Sequence, residues 1–147
     1  MITVRDLLRT KGSDVWSVSP RTTTLDALQL MAAKSVGALV VLEEGALVGI
    51  ISERDFAYHV AGASSCKLDI PVEEYMTKEV FVIGPEQTIQ DCMQLMTHRH
   101  IRHLPVIDQG QLIGVISIGD VVKQIISNQE VTIHQLEDYI TGRGYGQ

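Results

Sequence analysis

The stretch Leu47–Asp55, which reads LVGIISERD, returns at Leu112–Asp120 as LIGVISIGD. The two copies lie 65 positions apart, and the same offset superimposes residues 15–60 on residues 80–125 without a gap. Self-similarity at a fixed period is the mark of an internal duplication. Identities at this offset include Pro20 with Pro85, Thr23 with Thr88, Asp26 with Asp91, Met31 with Met96, Leu39 with Leu104 and Gly45 with Gly110. We therefore predict two copies of one structural unit.

Each unit opens with a short apolar strand, at 16–18 or 81–83, followed by a proline and a threonine-bearing turn. Such turns precede helices. In the second copy Ile89, Cys92, Met93 and Met96 fall at i, i+3, i+4 and i+7. This spacing places the four side chains on one face of a helix, so we predict that this face is core.

The second half of each unit is predicted to be a hairpin and a closing helix. Apolar strands at 38–42 and 47–51, or 104–107 and 112–116, flank a turn that ends in glycine. The closing helix begins near Asp55 or Asp120. The fold class is therefore α/β (α+β), with two pseudo-symmetric β-α-β-β-α repeats.

A unit this small cannot bury its apolar surface alone, so the two must pack together and form a cleft on an approximate two-fold axis. At the ends of the chain, Val4–Leu8 predicts a lead-in helix and Thr132 begins a further short helix. The predicted organisation is a first repeat with its lead-in helix at 1–62, a connector at 63–79, a second repeat at 80–127, and a C-terminal helix with a mobile tail at 128–147.

Composition narrows the function classes. Of the 147 residues 45% are hydrophobic and 20% are charged, as in soluble globular proteins. A net charge of −6 without a basic block argues against nucleic acid as a partner. Residues 1–12 do not resemble a signal peptide, and no apolar run is long enough to span a membrane, which predicts a cytoplasmic protein. Cys66 and Cys92 are predicted to be free thiols, with Cys92 in the core.

The repeated Ser-x-x-Asp, at Ser52 and Asp55 and again at Ser117 and Asp120, has two interpretations. As structure, it is a capping box at the start of the closing helix. As a site, the helix N-terminus donates N–H groups to phosphate while the carboxylate accepts ribose hydroxyls. The motif alone does not decide between the two.

Several cationic side chains near these motifs are candidate phosphate ligands. Arg54 lies inside the first motif, whereas Gly119 takes its place in the second. Gly37 and Ala38 of the first copy correspond to Arg102 and His103 of the second, so Arg102 is predicted to serve the second motif. Lys34 and Arg99, which the repeat also pairs, are either phosphate ligands or solvated helix-surface residues. Trp16 and Phe81 either pack in the core or contact an adenine ring.

Signatures of catalysis and of metal binding are missing. The serines lack a G-x-S-x-G context, and there is no G-x-x-x-x-G-K loop or G-x-G-x-x-G fingerprint. The histidines at 98, 100 and 103 diverge before a strand and do not have the spacing of metal ligands. We therefore predict a protein that binds its ligand without transforming it and that holds no metal.

The two units resemble a tandem pair of cystathionine β-synthase (CBS) domains, the arrangement called a Bateman module. The resemblance rests on the duplicated Gly-apolar-apolar-Ser-x-x-Asp, on Ile101–Val106 and on Tyr75-Met76-Thr77, and it covers residues 1–126. It implies a stand-alone signal-transduction protein, a homodimer with an unknown effector, and a lead-in helix that packs on the second repeat.

The resemblance also implies a ligand. In that family the Ser and Asp of the motif hold the phosphate and ribose of an adenosyl ligand, and Ser52, Asp55, Ser117 and Asp120 would take those roles here. AMP is the ligand expected first, with ADP, ATP or NAD(H) as alternatives. Two other interpretations stay open: a structural or dimerisation module with a vestigial cleft, and a module that binds S-adenosylmethionine, against which the extra arginines argue.

Overall fold

The computed structural model describes residues 1–141. The tail at 142–147, for which the sequence predicts mobility, lies outside the described residues. The mixed α/β fold class and the two hairpin repeats are confirmed. The elements are α1 (Val4–Lys11), β1 (Ser17–Val18), α2 (Thr24–Lys34), β2 (Ala38–Glu43), β3 (Ala46–Ser52), α3 (Glu53–Ala63), a 3₁₀ helix (Val72–Glu74), α4 (Ile89–Arg99), β4 (His103–Asp108), β5 (Gln111–Ser117) and α5 (Ile118–Thr141).

The two hairpins have the same geometry because they have the same turn. Glu44 and Gly45 adopt positive φ angles of 50° and 81°, and Gln109 and Gly110 adopt 50° and 77°. Two consecutive positive φ angles define the tight turn that matches strand twist, and glycine tolerates them best. The antiparallel β2–β3 and β4–β5 pairs therefore share one register, including a bulge at the same place.

The first strand of the second repeat differs from the prediction. In the first repeat β1 pairs in parallel with β2, through Ser17–Val40 and Val18–Val41. In the second, only the bridge between Ile83 and Val106 forms, so residues 81–83 do not make a strand. Pro105 occupies the position of Val40 and has no N–H to donate to the missing rung of the ladder.

The repeats exchange the segments that precede them. Helix α1 packs into the core of the second repeat, where Val4 is fully buried, and the 3₁₀ helix packs into the core of the first, where Val72 is fully buried. A Cβ at Gly114 would lie 2.7 Å from Leu8 Cδ2, and one at Gly49 would lie 2.6 Å from Met76 Sδ. At each of these positions only glycine leaves room for the segment that precedes the other repeat. The part of the predicted connector from Val72 to Met76 is therefore packed into the fold.

Each repeat has its own core, built around the central residues of its hairpin. Leu39 and Ile51 lie in the first core, and their counterparts Leu104 and Ile116 lie in the second. Cys92 is buried in the second core, which raises the pKa of its thiol to about 11, and Cys66 is exposed. Both cysteines are free, as predicted.

The C-terminal region also differs from the prediction of two helices. Helix α5 runs without interruption from Ile118 to Thr141. Thr132, which we expected to begin a new helix, instead donates its hydroxyl to the Asn128 carbonyl at 3.0 Å within the helix. Over residues 1–141, no helix is both long and apolar enough to cross a membrane.

Candidate functional site

Two cavities lie where the repeats meet, and each contains one Ser-x-x-Asp motif. The Asp55 cavity has a volume of about 800 Å³ and is lined by Gly37, Ile50, Ser52, Glu53, Arg54, Asp55, Tyr58, Thr77 and residues 99–103. The Asp120 cavity has a volume of about 390 Å³ and is lined by Lys11, Gly12, Asp14, Trp16, residues 35–40, Ile50, His103, Val115, Ser117 and Asp120. Both volumes fall in the range of small-molecule sites.

Each cavity combines elements of both repeats. The Asp55 cavity takes its motif from the first repeat and residues 99–103 from the second, whereas the Asp120 cavity takes its motif from the second repeat and residues 35–38 from the first. Gly37 and His103 line both cavities, and Ala38 lines the Asp120 cavity.

This crossed arrangement corrects the predicted position of Arg102. We expected Arg102 to compensate for Gly119 in the second motif, but it lines the Asp55 cavity. The physical reason is that the segment before each hairpin reaches across the pseudo-two-fold axis, toward the motif of the other repeat. Gly37, the counterpart of Arg102, accordingly lines the Asp120 cavity.

Both motifs cap their helices, as the structural interpretation predicts. Asp55 Oδ2 accepts hydrogen bonds from Ser52 N at 2.9 Å and Ser52 Oγ at 3.0 Å, and Asp55 N donates to Ser52 Oγ at 3.3 Å. Ser117 N donates to Asp120 Oδ2 at 2.8 Å, and Asp120 N donates to Ser117 Oγ at 3.2 Å. The caps hold both carboxylates at the cavity walls.

The two carboxylates differ in their remaining partner. Asp55 Oδ1 accepts a hydrogen bond from Thr77 Oγ1 at 2.9 Å. Asp120 Oδ2 instead accepts from Lys11 Nζ at 2.7 Å, and Lys11 also donates to the Val115 carbonyl at 2.8 Å. Burial alone would raise the pKa of the Asp120 carboxyl, but the hydrogen bonds from Lys11 and Ser117 and the charge of Lys11 outweigh it and lower that pKa.

Three guanidinium groups line the Asp55 cavity. Arg54 Nη1 donates to the His100 carbonyl at 2.8 Å and Nε donates to Tyr58 Oη at 3.1 Å, which joins α3 to the second repeat. The Arg99 guanidinium lies 4.7 Å from the centre of the Phe81 ring. The Arg102 carbonyl accepts a hydrogen bond from Ile118 N at 2.8 Å, but its guanidinium forms no hydrogen bond or ion pair with any of residues 1–141, so the side-chain donors are available to a ligand.

Lys34 lies outside both of these cavities. Its amine lies 4.3 Å from the centre of the Trp16 ring, which reproduces the Arg99–Phe81 pair at the 65-residue offset. Cation–π contacts of this kind hold a cation on an aromatic face. Both residues make this contact, but Arg99 lines the Asp55 cavity and Lys34 lines neither cavity.

A scan against family models matches the CBS domain at residues 4–62 and again at 72–127. The chain belongs to the CBS domain family. It is 36% identical to the CBS domain-containing protein YhcV of Bacillus subtilis, over 88% of this chain and 89% of that one. Tandem CBS pairs of this kind are regulatory modules.

Solved structures agree with the family assignment. The CBS-domain containing protein ATU1752 of Agrobacterium tumefaciens has a TM-score of 0.80 and 41% identity, covering 83% of this chain and 98% of its own. The CBS pair of MJ0100, solved in complex with 5'-methylthioadenosine and S-adenosyl-L-methionine, has a TM-score of 0.77 over 87% of this chain and 98% of its own. At 21% identity it shows a shared fold.

His103 lies between the two cavities of the CBS pair. Burial lowers the pKa of the His103 imidazole below its ordinary value; Glu53 and Asp120 oppose this shift, whereas Lys11 and Arg102 add to it. The neutral imidazole is therefore favoured at neutral pH. Among residues 1–141, no three His, Cys, Asp or Glu side chains are grouped as metal ligands.

We expect this depressed pKa to make the fold less stable in mild acid. Below about pH 6.5 this histidine is protonated in the unfolded chain but stays neutral in the folded one. The free energy of unfolding therefore falls by up to about 1.4 kcal/mol per pH unit until the pH reaches the pKa of the folded state. Urea unfolding at pH 7.5 and 5.5 should show a smaller loss for His103→Gln than for the wild-type chain. The exposed His98→Gln is the control, and an equal loss in both variants would contradict the assignment.

Sequence reasoning missed three residues at these cavities. Lys11 and Thr77 bond to the two aspartates, and Tyr58 lines the Asp55 cavity. Lys11 and Thr77 lie before the stretches 15–60 and 80–125 that the 65-residue offset superimposes, so the offset does not pair them. The exchange of lead-in segments brings each to the motif of the other repeat, and only the packed structure reveals that exchange.

Proposed function

We propose that this CBS pair is a non-catalytic regulatory module whose Asp55 cavity binds an adenine nucleotide: AMP first, with ADP, ATP or NAD(H) as alternatives. One observation carries the proposal. The N-terminus of α3, the Asp55 carboxylate and the side chains of Arg54, Arg99 and Arg102 all line the same cavity. An acceptor for ribose hydroxyls and hydrogen-bond donors to phosphate thus lie together in a space large enough for a nucleotide.

The ribose would bind at Asp55. A carboxylate offers about four acceptor positions, and the hydrogen bonds from Ser52 and Thr77 account for three. One ribose hydroxyl can take the fourth, and the second can replace the Thr77 hydroxyl at Oδ1. The cap thus holds the carboxylate in place while leaving it capable of accepting a ligand.

The phosphates would bind among the arginines. Guanidinium groups form bidentate, charge-assisted hydrogen bonds to phosphate, and Arg102 has all its donors available. The same positive charge opposes S-adenosylmethionine, whose sulfonium is cationic and which lacks a phosphate. MJ0100 binds that ligand and 5'-methylthioadenosine, so both belong in any ligand panel.

The Asp120 cavity supports a weaker second site. It has about half the volume of the other, no arginine lines it, and Lys11 Nζ binds Asp120 Oδ2, beside the oxygen that a ribose would use. We therefore propose that one nucleotide binds per chain, at the Asp55 cavity. Because both repeats line that cavity, a bound nucleotide would fix their relative position, and an effector protein would respond to that change. We propose that the module acts as a cytoplasmic homodimer.

Isothermal titration of the purified chain with AMP, ADP, ATP, NAD⁺, NADH, S-adenosylmethionine and 5'-methylthioadenosine tests the proposal. We expect one phosphate-bearing ligand to bind one per chain, more tightly than either sulfur nucleoside. Tighter binding of a sulfur nucleoside would contradict the nucleotide assignment. Absence of heat with every ligand, from a folded chain, would favour the structural module whose Ser-x-x-Asp motifs only cap helices.

Replacing Lys11 with methionine is expected to release Asp120. The pKa of the Asp120 carboxyl should rise, because the hydrogen bond and the charge of Lys11 are lost, and the free energy of unfolding should fall by about 1 kcal/mol. Carboxyl-carbon NMR titration and urea unfolding measure these effects. A second nucleotide per chain should also bind in calorimetry.

The control for this variant is Lys67→Met, which changes an exposed lysine that lines neither cavity. It should leave the pKa of Asp120 and the stoichiometry unchanged. If Lys11→Met behaves in the same way, Lys11 does not block the Asp120 cavity.

A further inference from the structure

The C-terminal half of α5 has an apolar stripe that the rest of residues 1–141 leaves uncovered. Near its start, Val121 is fully buried and Ile125 packs against the second core. From residue 126 to residue 137 every residue is exposed. The family match ends at residue 127, so most of this half lies beyond the CBS repeats. A large exposed apolar stripe marks an interaction surface.

The stripe follows a heptad pattern. Ile126, Ile133 and Ile140 are seven residues apart, and Val122, Gln129 and Leu136 form a second set with the same period. The apolar members of the two sets are between 43% and 79% exposed. Alternating steps of three and four residues place both sets on one seam, as in coiled coils. The seam, residues 122–140, is about 28 Å long.

We propose that this seam pairs with the same seam of a second copy, with the two α5 helices antiparallel. A two-fold axis near residue 131 places Val122 against the partner's Ile140 and Ile126 against the partner's Leu136. Each contact occurs twice, as in an isologous interface. In this register Gln129, the polar position of the seam, lies near the axis and faces the partner's Ile133.

Charge favours this orientation over the parallel one. Lys123 flanks the seam at its start, and Glu137 flanks the same side near its end. The antiparallel pair brings Lys123 beside the partner's Glu137 twice. A parallel pair would instead place both Glu137 side chains at one end of the seam and both Lys123 side chains at the other. The antiparallel pair also brings Glu130 beside the partner's Glu130 near the axis, so its two Lys123–Glu137 pairs are set against one like-charge contact. The antiparallel pair also packs the exposed C-terminal half of each helix against the N-terminal half of the partner's helix, which is held by the partner's second core.

Sedimentation velocity of the full chain over 1–100 µM tests the pairing. We expect a wild-type dimer and at least a 100-fold rise in dimer Kd for Ile133→Glu combined with Leu136→Glu. The control is Val131→Glu, on the same helix but off the seam, where Val131 is 54% exposed. Circular dichroism reports folding. A monomeric wild type, or a dimer that the double variant leaves intact, would overturn the proposal.

A charge exchange tests the orientation. Lys123→Glu should weaken the dimer by about tenfold, and adding Glu137→Lys should restore it. Failure of that rescue would overturn the antiparallel register. The seam variants lie away from both cavities, so nucleotide affinity should not change in them. A failure of the seam can thus be distinguished from a failure of the proposed ligand site.

Discussion

Replacing Asp55 with asparagine is expected to weaken nucleotide binding by about 100-fold. The charge-assisted acceptors for two ribose hydroxyls would be lost, and hydrogen bonds to charged groups contribute about 1.5–3 kcal/mol each. The asparagine side chain has nearly the same shape as the aspartate that it replaces, so the lining of the cavity is preserved. Calorimetric titration with the best ligand of the panel measures the change in Kd.

The matched control is Asp120→Asn. Both aspartates cap a helix through a serine three residues earlier, so both substitutions remove the same capping charge. Asp120→Asn should cost about 1 kcal/mol more stability, because it also removes the ion pair with Lys11. The two substitutions differ in the cavity that they affect. A loss of affinity in the Asp120 variant alone would move the site to the other cavity, and equal losses would mean that both cavities bind.

The sequence predicts the repeat units well because their structure depends on local patterns. The two turns that end in Gly45 and Gly110 have the backbone that a two-residue hairpin requires, and the Ser-x-x-Asp boxes begin the helices as expected. The strand at 81–83 fails for an equally local reason, the missing N–H of Pro105. That difference could have been predicted from the alignment of Val40 with Pro105.

The site is less predictable because it depends on how the repeats cross. No local pattern around Arg102 reveals which motif it faces. From its position in the second repeat we predicted the motif of that repeat, whereas it lines the cavity of the first. Lys11 is even further from prediction, since it reaches Asp120 from a helix at the other end of the chain. Contacts of this range follow from the exchange of lead-in segments. The repeat itself does not encode them.

The same exchange leads to a prediction for stability. Leu39→Ala and Leu104→Ala each remove a fully buried leucine at equivalent positions of separate cores. Each is expected to lower the free energy of unfolding by about 2–5 kcal/mol, through lost burial and the cavity left behind. The melting midpoint should fall by roughly 5–15 °C in a chain of this size. The exposed Leu25→Ala should change it little.

Calorimetry of these variants also decides whether the repeats unfold together. Helix α1 begins the chain yet completes the second core, and the 3₁₀ helix follows the first repeat and completes the first core. If one repeat unfolds, the other core therefore loses contact with a segment that is joined to the unfolded repeat, or keeps that segment only under strain on the chain between them. We expect one peak that shifts as a whole in both variants. A split, with one peak left at the wild-type midpoint, would mean that each repeat is stable alone and that the exchanged segments detach without unfolding the partner repeat.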